Sequence, residues 1–387
     1  MKQKYQKNLI GAVIASALLL GLIFVLTSEE KKSTAEPGDS AAAPFWDMDF
    51  DASSAEDPGS PAAPKAALMN YLEYAKYPPA SRPITPQRAE HFQYNKRDDV
   101  PSPVAGPDGR AALYISVRTD KMMVFGNESA RVLVKAVTSA DPSASRKMIE
   151  RLAGAVYAGR GENAPRVLDL TFVDNGRDGD LEANDQEYTA VLTPVNVPAL
   201  RNFHGDVSIL VDFIADGAAG ARKTFLSYYP PSAIAAQLTG KFREEIENGS
   251  LVVYAQINVA RAGNFTLDAN LLDASGQPFC HSRAKEILSP GLQEVRLLFF
   301  GKVIRDAGAS SPFRMTEIFG QALPSGESAA METPGFAPFA VPLFQGEYRT
   351  RAYDMAEFSD AEWDSPDKQF HLLQYREAAE KGSWIPK

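Results

Sequence analysis

From Ala111 to Pro230 apolar side chains recur at every second position in short runs, and this period constrains the fold more than anything else in the chain. The runs are Leu113, Ile115 and Val117; Val132, Val134 and Ala136; Leu168, Leu170 and Phe172; Tyr188, Ala190 and Leu192; and Val207, Ile209 and Val211. A strand turns successive side chains to opposite faces, so each run reads as a strand with one face buried, and the Gly, Pro, Asp and Asn between them read as turns. The spacing predicts an antiparallel sandwich of the immunoglobulin type over 108–231. With Cys280 the only cysteine, no internal disulfide can brace it, and Cys280 itself reads as a small buried hydrophobe. Residues Arg146 to Tyr157 are expected to form a helix inserted among the strands.

A second alternating set begins after Pro230-Pro231. Ile234 to Asn248 reads as a hinge or short helix. Strands follow at Leu251 to Val259, Phe265 to Leu271, Val295 to Phe299 and Phe313 to Ile318, which predicts a second sandwich over 232–350. Before the first sandwich, 66–107 is an extended, Pro-rich segment opened by a helix over Ala66–Tyr77; its prolines keep it out of any central strand. In the tail, 351–387, Ser359 and Glu362 have the spacing of a capping box, and Ser365-Pro366 suits the start of a helix reaching about Lys381. Phe370, Leu373 and Tyr375 are its candidate packed side.

The first residues decide where such a fold would reside. Lys2, Lys4 and Lys7 precede an apolar, charge-free run from Leu9 to Leu26. At ~1.5 Å per residue this run spans most of a ~30 Å hydrocarbon core, and the lysines favour an N-in orientation. The expectation is a cytoplasmic N-terminus (1–8) and an uncleaved single-pass anchor (9–26); a cleaved signal peptide is the rival, but no small-x-small site follows closely. Residues 27–65, rich in Ala, Pro, Ser, Gly and acids, read as a disordered linker. Within it, Phe45-Trp46-Asp47-Met48-Asp49-Phe50-Asp51 has the composition of a docking peptide or of a segment folded back on the body. The fold class is therefore mainly β: an N-terminal transmembrane helix, a flexible linker, two tandem immunoglobulin-like β-sandwiches and a short helical C-terminal tail. The balance of 40 basic against 49 acidic residues, a net charge of -9, argues against a nucleic-acid partner.

The sharpest local motif runs from Asp174 to Thr189. Taking Asp174 as the first position of a twelve-residue calcium loop puts Asp178, Asp180, Glu182 and Asp185 at ligand positions around a turn at Gly179. Asp174, Asp178, Asp180, Glu182 and Asp185 are thus candidate metal ligands and calcium the candidate cofactor. Gly176 where an oxygen donor is usual, and Asp185 where a bidentate Glu is usual, fit equally a solvated turn whose acids bond their own backbone.

Asp174-Asn175-Gly176, then Gly179-Asp180, Asp185 and Tyr188-Thr189 entering a strand, resemble the signature of bacterial extracytoplasmic immunoglobulin-like domains of the choice-of-anchor X type. Tyr77 to Pro83, Phe299 to Ile304 and Phe358 to Pro366 are similar to segments that accompany that domain. The resemblance implies an envelope location, with Asp174, Asp178, Asp180 and Asp185 as the acidic turn, and implies no activity.

An enzyme reading finds little. His91, His204, His281 and His371 lack the spacing that puts two metal ligands on one helix face, and Cys280 and His281, adjacent on a strand, must point to opposite faces. The expectation is a single-pass protein of a bacterial inner membrane, with its bulk in the periplasm or exterior, serving as a structural or protein-binding component for other envelope or surface proteins. A secreted or membrane-tethered hydrolase of an envelope polymer is the alternative.

Overall fold

Two-residue periodicity is realised as strands almost throughout the part of the chain that the computed structural model describes, namely residues 63–85, 94–106, 109–324 and 338–382. The expected cytoplasmic N-terminus, the anchor, the linker up to residue 62 with Phe45 to Asp51, and His91 lie outside the described residues. Among the described residues no helix is long and apolar enough to cross a membrane.

Helix α1 (Ala63–Tyr74) and the three-residue strand β1 (Ser81–Pro83) come first. Ten strands follow: β2 (Ser102–Ala105), β3 (Ala111–Thr119), β4 (Met123–Phe125), β5 (Ala130–Val137), β6 (Arg146–Lys147), β7 (Ile149–Ala158), β8 (Arg166–Leu170), β9 (Tyr188–Leu192), β10 (Gly205–Ala215) and β11 (Ala218–Tyr229). They form two five-stranded sheets, one in the order β2-β3-β5-β6 with β9 also on β5, the other β4-β11-β10-β7-β8. Ile115, Val132 and Val134 from the first sheet meet Val207, Ile209 and Val211 from the second in one buried cluster. Each such side chain contributes about 1.5–3 kcal/mol by leaving water, which is what holds the two sheets face to face.

The remaining strands are β12 (Ala236–Glu247), β13 (Ser250–Val259), β14 (Gly263–Leu272), β15 (Pro278–Leu288), β16 (Gly291–Phe299), β17 (Arg314–Pro324), β18 (Phe339–Val341) and β19 (Tyr348–Arg349); helix α2 (Gly301–Ala307) lies between β16 and β17, and helix α3 (Pro366–Lys381) ends the described chain. A three-stranded sheet, β12-β13-β16, faces a six-stranded one, β1-β15-β14-β17-β18 with β19 on β17. Leu251, Ile257, Phe265, Phe299 and Phe313 fill the space between them. The β12–β13 hairpin closes through Asn248 and Gly249, both with positive φ (48° and 71°), the dipeptide that a tight two-residue turn favours. The described chain is mainly β, with sandwich-like pairs of sheets and few helices.

Several local expectations change. Arg146 to Tyr157 is strand, not helix: β7 pairs with β10 along one edge and β8 along the other, and Val156 is fully buried. Its alanines and glycine mask the period of two. Ile234 to Asn248 is mostly the long strand β12, on which Lys241, Arg243 and Glu245 are exposed while Glu244 lies on the same side as the half-buried Phe242 and Ile246. The tail does hold a helix from Pro366 to Lys381, with the Ser365 hydroxyl accepting from Lys368 N–H at 3.0 Å. The capping box, however, is made by Asp354 and Glu357 rather than Ser359 and Glu362. On α3 it is Lys368, Leu372 and Ala378 that are buried, while Phe370 and Leu373 stand in solvent at 58% and 65% exposure; Tyr375 does pack, stacking on Tyr71 of α1 at 4.8 Å. Residues one helical turn apart share a face, so Lys368, Leu372, Tyr375 and Ala378 line the packed side, and Leu373, next to Leu372 in sequence, turns away from it.

Where the sandwiches meet, a third small cluster joins Tyr94, Phe125 and Ala340, with Met123, Tyr229, Ile234, Phe319 and Leu343 packed around it. Tyr94 stacks on Phe319 at 3.5 Å between centroids, and the Asn95 amide donates to the Met123 carbonyl at 2.9 Å. One short segment therefore touches β17 of the second sandwich and β4 of the first.

Candidate functional site

The loop between β8 and β9 is wound unusually tightly: Gly176, Asp178, Gly179, Asn184 and Gln186 all have positive φ. At Gly179 (φ 95°) a Cβ would sit 2.4 Å from a Val191 methyl, so only glycine suits that turn. Its acids serve as staples. The Asp180 carboxylate, 8% exposed, accepts from Asn175 N–H and Gly176 N–H at 2.7 Å each and from the Thr189 hydroxyl at 3.3 Å. Asp174 accepts from the N–H groups of Asp185 and Gln186 at 3.1 Å each. Asp185 accepts from Glu187 N–H at 2.9 Å and pairs with Arg146, which also reaches Glu187 at 3.4 Å. Arg118 holds Glu187 at 2.8 Å.

Two of the five candidate ligands, Asp178 and Glu182, are exposed and stand apart from these bonds. Asp174, Asp180 and Asp185 are directed at backbone N–H groups and a guanidinium. Calcium needs six to eight converging oxygens. Among the described residues no group of three His, Cys, Asp or Glu side chains is gathered to hold a metal, and the arrangement of these acids does not fit that cage. The expected result is that the purified protein melts at the same temperature in millimolar calcium and in chelator. A bound ion at a hundred times its dissociation constant would raise stability by about 2.7 kcal/mol, an easily measured shift that would restore the calcium reading.

The segments Tyr77 to Pro83, Phe299 to Ile304 and Phe358 to Pro366, far apart in sequence, converge at one end of the second sandwich. The Tyr77 hydroxyl donates to Asp306 at 2.9 Å, and Ser81 accepts from Phe300 N–H at 2.9 Å. Ser359 N–H donates to the Gly249 carbonyl at 2.8 Å, and Trp363 N–H to that of Lys76 at 2.9 Å. Arg305 of α2 donates to the carbonyls of Met355 and Phe358 at 3.1 and 3.2 Å. The chain N-terminal to the first sandwich is thus strapped to the second one, with β1 hydrogen-bonded along β15. Beside this strap lies a groove of about 300 Å³ lined by Tyr71, Tyr74, Pro79, Trp363 and His371.

A second feature was not visible in the sequence. On the outer face of β14 and β15, Asp268 Oδ1 lies 3.0 Å from His281 Nε2 and accepts from Arg283 Nε at 2.7 Å, while His281 Nδ1 lies 2.9 Å from Asn270 Oδ1. The register that sets Asp268 opposite Arg283 and Asn270 opposite His281 creates this cluster, and no spacing within either strand foretells it. Glu317, held at φ 52° where β17 bulges against β14, has its carboxyl raised by burial against the opposing pull of Tyr94 N–H and Lys96. Cys280 points the other way, into the core, as strand geometry required; burial pushes its thiol up to about 12 although the Ser81 hydroxyl lies 3.4 Å away. His371 is exposed on α3, and His204 sits in the junction.

No family model and no curated protein matches the chain. Among solved structures it is similar to a DUF4785 family protein from Legionella pneumophila at 12% identity and a TM-score of 0.39, covering 64% of this chain and 59% of that one. The adhesin InvE of Yersinia pseudotuberculosis matches at 12% identity and a TM-score of 0.20, with 61% and 60% covered. The FN1–FN3 domains of chicken CNTN1 match at 10% identity and a TM-score of 0.21, with 66% of each chain covered.

Proposed function

We propose that this protein is a membrane-anchored, extracytoplasmic structural or protein-binding component of a bacterial cell envelope, its sandwiches of the immunoglobulin type and its acidic turn that of choice-of-anchor X domains. The observation that carries the reading is the junction: Tyr94, Phe125, Tyr229 and Phe319 join two well-filled cores, an arrangement suited to spacing and presenting surfaces. Leu9 to Leu26 with its lysine flank supplies the anchor, and the strap through β1 would hand the tether to the second sandwich, leaving the first with its acidic turn farther along the chain's path. The partners are envelope or surface proteins. In the hydrolase alternative the general base is a histidine or a carboxylate; of these His281 is a poor choice, because both its ring nitrogens are already engaged, by Asn270 and Asp268.

Crosslinking in intact membranes followed by identification of captured proteins tests the assignment. The full-length chain should remain in the membrane pellet after alkaline carbonate washing, start near Met1, and carry envelope proteins with it. A soluble product beginning between Thr27 and Glu36 would remove the anchor from the assignment. Turnover of an envelope polymer by the purified chain would replace it with the hydrolase.

A further inference from the structure

We propose that the junction between the sandwiches is an acid-sensitive elbow, in which the neutral His204 ring fills the seam between them and the protonated ring opens it. His204 ends the loop that leads from β9 into β10 of the first sandwich. Its ring centroid lies 5.2 Å from that of Tyr229 at the end of β11 and 5.8 Å from that of Phe339, which opens β18 of the second sandwich. One imidazole therefore bridges aromatic rings of both bodies. Its Nε2 is buried and has no hydrogen-bond partner among the described residues. A neutral ring tolerates that position as a lone pair against apolar surface; an imidazolium there would bury an N–H and a positive charge with nothing among the described residues to receive them.

Among the described residues, the groups around the ring do not compensate. From β11, the Tyr229 phenol is raised to about 12 by burial and supplies no anion at any pH the elbow would meet. From β18 come the Phe339 ring and, just before it, the Pro338 carbonyl, the one neighbour among the described residues that favours the charged form. Arg261 lies over the same Phe339 ring at 4.6 Å and opposes a second cation. Asp206, near Tyr229, is committed to Arg160 at 2.6 Å and to the Ser227 hydroxyl at 2.7 Å. Burial thus lowers the imidazole below its ordinary value, outweighing Pro338. The sign follows: the seam keeps its full stability above the ordinary histidine range and loses it as pH falls through that range towards the depressed value. Over that window the open-to-closed ratio rises by at most about tenfold per pH unit.

The test uses the full chain in detergent with Förster dyes on Lys223→Cys in the first sandwich and Lys285→Cys in the second, both exposed sites, Cys280 being buried and unreactive. Between about pH 7.5 and about pH 5 the low-transfer population should grow several-fold. His204→Phe, which keeps a ring and cannot take a proton, should hold its distribution constant over the same interval. An unchanged wild-type distribution, or an equal response in His204→Phe, would overturn the elbow. The imidazole resonance of His204 in the unmodified chain gives a second reading that does not depend on the variant folding: a midpoint below the ordinary histidine value is expected, and one at or above it overturns the proposal.

Discussion

Gly301→Ala should destabilise the protein by about 4 kcal/mol or more, the largest loss expected from adding one methyl group. Gly301 begins α2, and its Cβ position lies 2.0 Å from the Gly249 carbonyl oxygen, 2.9 Å from Ser359 N and 3.0 Å from Ser359 O. All three are backbone atoms, so no side chain can swing aside. To admit the methyl, α2 must retreat from the β12–β13 turn and from the tail. That movement stretches the bonds from Gly301 N–H to the Ser250 hydroxyl at 3.0 Å and from Ser359 N–H to the Gly249 carbonyl at 2.8 Å. Overpacking costs about 1–3 kcal/mol, and each buried polar group left without its partner adds about 1–3 kcal/mol. Gly161→Ala is the control: nothing lies within 4 Å of its Cβ position, and its stability should stay within about 0.5 kcal/mol of the wild type. Urea unfolding of the purified variants measures both. A Gly301→Ala midpoint close to wild type would mean that the three segments are not locked together as described.

That contact shows what the sequence revealed and what it withheld. Period-two runs such as Leu113, Ile115 and Val117 are legible because a half-buried strand has a simple rule, and the structure places Leu113 and Ile115 at 1% exposure. β12 escaped because Lys241, Arg243 and three glutamates dilute its apolar face, and β7 because Ala153, Gly154 and Ala155 carry almost no hydrophobic contrast. The acidic turn is legible from its residue types, but a calcium loop and a self-stapled turn use the same carboxylates; Arg146, 39 positions upstream of Asp185, is what commits that carboxylate to an ion pair. The convergence of Tyr77, Phe300 and Ser359 and the aromatic junction depend on tertiary approach between distant segments. Local propensity carries no trace of that.

Asp268→Ala should cost about 3–5 kcal/mol, because it removes one partner from a buried charge cluster and leaves the others in place. Asp268 is 3% exposed, and its Oδ1 faces both Arg283 Nε at 2.7 Å and His281 Nε2 at 3.0 Å. Without the carboxylate, the Arg283 guanidinium, its side chain 22% exposed, loses the ion pair made at 2.7 Å, at a site where water replaces it only in part. Asp268→Asn keeps an acceptor oxygen but not the charge, and should lie between wild type and alanine, about 1–3 kcal/mol down. A double change, Asp268→Leu with Arg283→Met, separates the worth of the pair from the penalty of breaking it. If the cluster gives a unique packing rather than net stability, removing both charges together should recover much of the loss seen in Asp268→Ala. Chemical unfolding of the three variants decides the matter. If the double variant is as unstable as Asp268→Ala, the carboxylate contributes more to this face of the sheet than its pairing with Arg283; if Asp268→Ala itself unfolds within about 1 kcal/mol of wild type, the cluster is not the buried ion pair its geometry describes.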